Sequence, residues 1–242
     1  MRYGIFSDVH SNIEALNAVV AALEKEKIDS YLCAGDVVGY ASAPRDSIEV
    51  VKSLADITIA GNHDWAAVDK FALDYFNQYA KEAILWTGNN LGQEDRHFLE
   101  SLTLVYKNQD LILVHGTLQN PEEFDYMTDE YAARETFRLM EHDICFVGHT
   151  HIAGTFKKDK FDAIDYSEDK FISIEPGNKY IVNVGSVGQP RDRNPKAAYC
   201  VYDSDEKEVH IKRVDYDTGT ARRMIIDAGL PKFLGDRLLT GR

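Results

Sequence analysis

The sequence of 242 residues predicts an α/β fold with a mainly parallel first half and a strand-rich second half. Three observations predict it. From residue 2 to residue 64, short apolar runs alternate with helical periodicity in the order strand, helix, strand, helix, strand. After residue 151 the helical patterns thin out, and short β-rich runs follow one another between turn signals. Five of the apolar runs stop at Asp, Asn or His, and an open α/β sheet places its ligand beyond such strand ends.

The first run, RYGIFSD, reads as a strand ending at Asp8. A helix follows, with Ile13, Leu16, Val19, Val20 and Leu23 at helical spacing and Ser11 or Asn12 as its cap. SYLCAGD is a second strand ending near Asp36. Residues 43–54 form a second helix, with Ile48, Val51 and Leu54 on one face. DITIAGNHD is a third strand running into a polar turn. The βαβαβ order predicts parallel pairing with helical crossovers. Residues 65–104 are helical and carry Phe71, Tyr75, Phe76, Tyr79 and Trp86, which fits packing helices or a helical cap over the site. QDLILVHG is a strand ending at His115, residues 128–141 a helix, and HDICFVGHTH a strand ending at His149. GTFKK, KFISIEP, KYIVNVGS, KAAYCVYDS and EVHIKRVDYD then read as strands, and GLPKFLGDRLLTG as a short helix. No linker divides the chain, so residues 1–242 are expected to form one domain.

Composition narrows the function. A formal net charge of −13, from 27 basic and 40 acidic residues, gives no basic footprint for general nucleic-acid binding. The three cysteines, Cys33, Cys145 and Cys200, lie in apolar runs without a CxxC spacing, as buried free thiols do. No apolar run is long enough to span a bilayer. Asp8 comes too early for a cleavable leader to precede it, so a soluble cytoplasmic protein is expected. Homo-oligomerisation is left open.

The polar strand ends are Asp8-Val9-His10, Gly35-Asp36, Gly61-Asn62-His63-Asp64, His115-Gly116 and Gly148-His149-Thr150-His151. Asp8-x-His10 or Gly35-Asp36 alone is common. Their coincidence with the other three, always after a strand, points to one metal-binding crevice. Asp offers hard anionic oxygen and His neutral nitrogen, a set suited to manganese first and also to iron, zinc, nickel or cobalt. The donors are too many for one tetrahedral zinc and lack a calcium-loop pattern. They suit two divalent ions sharing a carboxylate. Such a pair acidifies a bridging water and clamps the oxygens of a phosphoryl group during in-line displacement.

The series DVH, GD, GNHD, HG and GHTH resembles the calcineurin-like metallophosphoesterase superfamily. NVGSVGQPRD, residues 183–192, is similar to the small bacterial branch that includes YfcE-like phosphodiesterases and relatives of diadenosine tetraphosphatase. The resemblance implies two packed, mainly mixed β-sheets flanked by helices. It implies that Asp8, His10 and His151 bind one metal, that Asn62, His115 and His149 bind the other, and that Asp36 bridges them. It gives His63 the part of general acid, with Asp64 orienting its imidazole. Tyr40 stands where the family's protein phosphatases carry a phosphate-binding Arg, and Gly39 where its purple acid phosphatases carry an iron-ligating Tyr. Both departures count against those branches.

Candidate substrate contacts are Arg191, Asn62, Tyr40 and the Gly185-Ser186-Val187-Gly188 turn, whose Gly185 amide could face a phosphate. The alternative for that turn is simply to shape the rim, and for Arg191 to pair with Asp192. His97, His142, His210, Glu122 and Glu123 have no partner pattern and are given no role. The expected activity is hydrolysis of small phosphodiesters, nucleotide-type esters included, through a metal-bridging hydroxide. Phosphomonoesters or dinucleoside polyphosphates are the alternative substrates, and a non-catalytic protein-interaction scaffold is the minor alternative.

Overall fold

A computed structural model describes residues 1–242. The strands are β1 (Arg2–Phe6), β2 (Ser30–Cys33), β3 (Ile57–Thr58), β4 (Val105–Lys107), β5 (Ile112–Val114), β6 (Ile144–Val147), β7 (Gly154–Lys158), β8 (Ile164–Ser167), β9 (Phe171–Ser173), β10 (Lys179–Asn183), β11 (Ala197–Asp203) and β12 (Glu208–Val214). The helices are α1 (Ile13–Leu23), α2 (Pro44–Leu54), α3 (Asn62–Ala66), α4 (Gln78–Asn90), α5 (Gln93–Ser101), α6 (Glu130–Leu139), α7 (Thr218–Asp227) and α8 (Lys232–Asp236). Two six-stranded mixed sheets result, one in the order β3-β2-β1-β11-β12-β9 and the other β4-β5-β6-β10-β7-β8.

The βαβαβ start pairs in parallel as expected, Tyr3 to Phe6 running beside Ser30 to Cys33 and Leu32–Cys33 beside Ile57–Thr58. The other side of β1 takes β11 antiparallel. Asn12 caps α1 by accepting from the Ala15 amide, and Pro44 opens α2 at a position where a missing N–H costs nothing. Strand alternation divides the apolar residues between layers. Tyr3, Ile5, Leu32, Cys200 and Tyr202 of the first sheet meet Leu113, Ile144, Phe146, Tyr180 and Val182 of the second in the layer between them. Phe6, Cys33, Tyr199 and Val201 point the other way, onto Leu16, Val19 and Leu23 of α1. Ile112, Val114, Cys145, Val147 and Ile181 pack on Ala133 and Phe137 of α6. The result is a helix–sheet–sheet–helix sandwich, and all three cysteines are free and buried.

Four elements were not anticipated from sequence, the first being α3, a short helix where a polar turn was expected. β4 and β8 are short, half-exposed strands, and α7 follows β12 and packs Ala221 and Ile225 against Leu230, Leu234 and Leu238 of the chain's end. That C-terminal hairpin also meets Ala80 and Ala83 of α4 and lies against Tyr40 and Ala41. Within 65–104, α3 ends at Ala66 and helix resumes only at Gln78, after a short 3-10 turn at Leu73–Tyr75. No helix is long and apolar enough to cross a membrane.

Candidate metal centre and active site

The polar strand ends converge at one edge of the sandwich. Asp8 and His10 follow β1, Asp36 follows β2, Asn62 and His63 open α3, His115 follows β5, and His149 and His151 follow β6. All are buried. Two ligand groups form, Asp8–His10–Asp36–His151 and Asp36–His115–His149, with potential donor atoms in each within 4.8 Å of one another and Asp36 common to both. His151 Nε2 lies 3.3 Å from Asp8 Oδ1, His10 Nε2 3.5 Å from Asp36 Oδ2, and His115 Nε2 3.3 Å from the same oxygen.

The ring orientations are those of ligands. Nδ1 of His10 donates to the Val38 carbonyl, that of His115 to Ala34 and that of His151 to Gln189. Each bond turns Nε2 toward the centre, as a lone pair on the neutral rings of His10 and His151 and as the site of the proton that His115 must lose to become a ligand. His10 Nε2 and His151 Nε2 then stand 3.0 Å apart as two acceptors without a proton between them. Asp36 Oδ2, Asn62 Oδ1, His115 Nε2 and His149 Nε2 are buried without any partner. Buried polar atoms are nearly always satisfied, so orphans at every donor assigned to the second site fit a bound cation.

The electrostatics agree. Burial works against ionising Asp8 and Asp36, yet the surrounding imidazoles hold both carboxyls below the usual range. Burial drives His10 and His151 down, His63 to about 4 and His149 to about 3, so these rings are neutral ligand-type bases. His115 differs: burial lowers its pKa, but the charges of Asp36 and Asp8 outweigh that and raise it to about 9. The backbone is also strained. Asp8, His10, Asp36, His149 and His151 all have left-handed φ between 50° and 67°, a conformation costing roughly 1–2 kcal/mol per non-glycine residue and concentrated at functional sites.

His63 sits beside both groups. Its amide donates to Asp36 Oδ1 at 2.8 Å, and its ring lies 4.4 Å from Tyr40 and 5.0 Å from Phe76 between centroids. Gly39, at φ +99°, lets the ring in, because a Cβ there would collide with His63 Nδ1. A tyrosine at this position would displace the imidazole. His63, Asn62 and His149 line a cavity of about 180 Å³ walled by Phe71, Phe76 and Tyr126, the last stacked on His149 at 4.0 Å.

A profile of the calcineurin-like phosphoesterase superfamily domain matches residues 1–207. The chain belongs to the calcineurin-like phosphoesterase superfamily. This phosphoesterase is 38% identical to an uncharacterized protein of Methanocaldococcus jannaschii, over 98% of this chain and 97% of that one. A crystal structure of a metallophosphoesterase from Sphaerobacter thermophilus superposes with a TM-score of 0.88 at 36% identity, covering 100% of this chain and 99% of the other. A hypothetical protein of Pyrococcus horikoshii has the same fold, with a TM-score of 0.79 at 21% identity over 100% and 98% of the two chains. Family and Asp/His cluster together make the protein a metal-dependent phosphoesterase.

Two expectations for the site need correction. Asp64 does not orient His63 through a hydrogen bond. Its oxygens accept from the Val38 and Gly61 amides, closing the first turn of α3 and tying it to the Asp36 loop. Burial, reinforced by the charge of Asp36, raises Asp64 to about 7. The Gly185 amide does not face a phosphate either, for it donates to Asn183 Oδ1. Ser186 Oγ and the Gly188 amide are bonded to the Asp8 carbonyl, so this turn braces the metal-ligand loop. Tyr40 and Arg191 stand together, Arg191 Nη2 donating to the Tyr40 hydroxyl at 3.1 Å. Asp192 pairs with Arg213, leaving Arg191 without a carboxylate. Phe76, one of the aromatics expected either to pack or to cap the site, does line it. Gln189, Tyr126 and Arg237 were missed; Gln189 lay inside a segment already singled out, whereas nothing local marks the other two.

Proposed function

We propose that this phosphoesterase hydrolyses small phosphodiesters at a binuclear centre, with manganese as the first candidate metal. The observation that carries this reading is the pair of ligand groups sharing Asp36, together with the four orphaned donor atoms around the second group. Asp8, His10, His151 and Asp36 would hold one ion, and Asp36, Asn62, His115 and His149 the other. Bound divalent ions supply Lewis acidity toward phosphoryl oxygens and lower the pKa of water.

The chain's own groups do the rest. The carbonyls of Val38, Ala34 and Gln189 fix three imidazoles in the tautomer that leaves Nε2 free. Asp36 Oδ1 holds the His63 backbone, and Tyr40, Phe76 and Gly39 hold its ring at the cavity wall. From there an N–H of the neutral imidazole can donate a hydrogen bond to the departing oxygen and stabilise its charge, the part of the assigned role that its lowered pKa serves. Arg191 offers the charge that Tyr40, as a replacement for arginine, does not. The narrow aromatic cavity favours a small ester over duplex nucleic acid. The three buried free cysteines suit a cytoplasmic setting.

Hydrolysis of bis-p-nitrophenyl phosphate by metal-stripped protein, before and after adding Mn²⁺, tests the proposal. Activity that appears only with metal supports it. Metal uptake without turnover of the diester moves the reading to phosphomonoesters or dinucleoside polyphosphates.

A further inference from the structure

Beside the metal centre lies a second depression of about 540 Å³, which shares Tyr40, Asn77 and Tyr126 with the first. Two arginines line it, Arg191 and Arg237. Arg237 comes from the C-terminal hairpin, beyond the residues the superfamily profile matches. Both guanidinium groups turn onto one neutral acceptor, Gln189 Oε1. Arg191 Nη2 reaches it at 2.9 Å and Arg237 Nη1 at 2.8 Å. Neither makes a salt bridge to any Asp or Glu, and the nearest acid on the hairpin, Asp236, is engaged by Arg222 and Lys232. Arg237 Nε also donates to the main-chain oxygen of Arg242, but two like charges held together in a partly buried setting without an Asp or Glu between them cost free energy. An anion placed between them removes that cost, and a phosphate matches the fork geometry of both groups.

The rest of the depression is aromatic. Tyr79 and Phe233 stack at 5.0 Å with an interplanar angle of 29°, and both are about half exposed. Tyr126, also half exposed, stands between this depression and the metal centre. The Arg237 guanidinium lies over the Phe233 ring at 5.3 Å, and half-exposed aromatic rings joined in this way to a cationic groove suit a nucleobase.

Building on the phosphoesterase reading, we propose that Arg191 and Arg237 bind a second phosphate next to the one hydrolysed, with Tyr79 and Phe233 as the platform for a base. The preferred substrate is then a nucleotide ester with at least a diphosphate, rather than a simple diester. Gln189 keeps the two cations in register, and its backbone carbonyl orients the metal ligand His151. The anion subsite and the metal centre are therefore set by one residue.

The test compares two esters that lose p-nitrophenol by the same P–O cleavage with water, the p-nitrophenyl ester of ADP and bis-p-nitrophenyl phosphate. The ratio of their kcat/KM values, diphosphate ester over simple diester, is expected to fall about tenfold in Arg237→Gln, the loss of one charge-assisted hydrogen bond. Arg237→Lys should recover most of it. If Arg237→Gln does not fold, Phe233→Ala, which truncates an exposed ring, should lower the same ratio several-fold. An unchanged ratio in the folded variants overturns the proposal. Calorimetry of ADP binding to the manganese-equilibrated protein needs no turnover. Binding that weakens in Arg237→Gln supports the subsite even if neither ester is hydrolysed, in which case only the esterase reading fails. Equal binding in both proteins, or none in the wild type, overturns the subsite.

Discussion

The layer between the sheets and the rim at their edge are made by the same strands, yet they obey opposite rules. In the layer, Ile5, Phe146 and Cys200 are fully buried, apolar and closely packed. On the rim, a few residues beyond β1 and β6, Asp8, His149 and His151 are equally buried but polar, left-handed in φ and partly without partners. Burial in the first region drives folding. Burial in the second opposes it, and becomes favourable only when a cation satisfies the lone pairs. Stability and chemistry are thus separated over a few residues of each strand.

Four experiments break or sharpen that contrast. The largest effect is expected from Asp36→Ala, which removes the carboxylate common to both ligand groups. Metal analysis should find both ions depleted, and activity should fall by more than about a hundredfold. His63→Ala should lower kcat by roughly 100- to 10,000-fold while metal content stays at the wild-type level. Equal metal loss in these two variants would sink the roles given to them. Phe146→Ala, in the layer, should cost about 3–5 kcal/mol in urea unfolding of the metal-free protein. Its metal stoichiometry under native conditions should not change; a changed stoichiometry would mean that core and rim are not separable. The smallest effect is a proton. In the metal-free protein His115 has its pKa raised from 6.5 to about 9 by Asp36 and Asp8 against the effect of burial. The stability it contributes is complete below about pH 6.5 and is lost as pH rises through about 9. Metal binding near neutral pH should therefore expel a proton from this ring. Calorimetric titration in two buffers of different ionisation enthalpy reads it, and identical heats in both would contradict it.

Much of this was legible in the sequence because the information was local. A strand that ends in Asp or His announces its own place in an α/β sheet, and the fold gathers five such ends at one edge. The near-continuous apolar runs of β10 and β11 were equally clear. The losses have physical causes. β8 presents Asp165 and Tyr166 to solvent, so its pattern carries little apolar signal. Asp64 adjoins His63 in sequence, but in the first turn of a helix a third-position acid points back to the N-terminal amides, not to its neighbour. That signal was present and could have been read. Arg237 could not. It is 48 residues from Gln189, and only the packing of α7 and α8 against Tyr40 brings them together.

The carbonyl that orients His115 belongs to Ala34, on the other sheet, and the carboxylate that accepts the His149 amide belongs to Asp8, also on the other sheet. β1 in turn is flanked by β11, from the far end of the chain. No half of the polypeptide can assemble the ligand set alone. The complete cradle for the ions therefore exists only where the two sheets are docked, so metal occupancy and the joining of the sheets are one linked equilibrium.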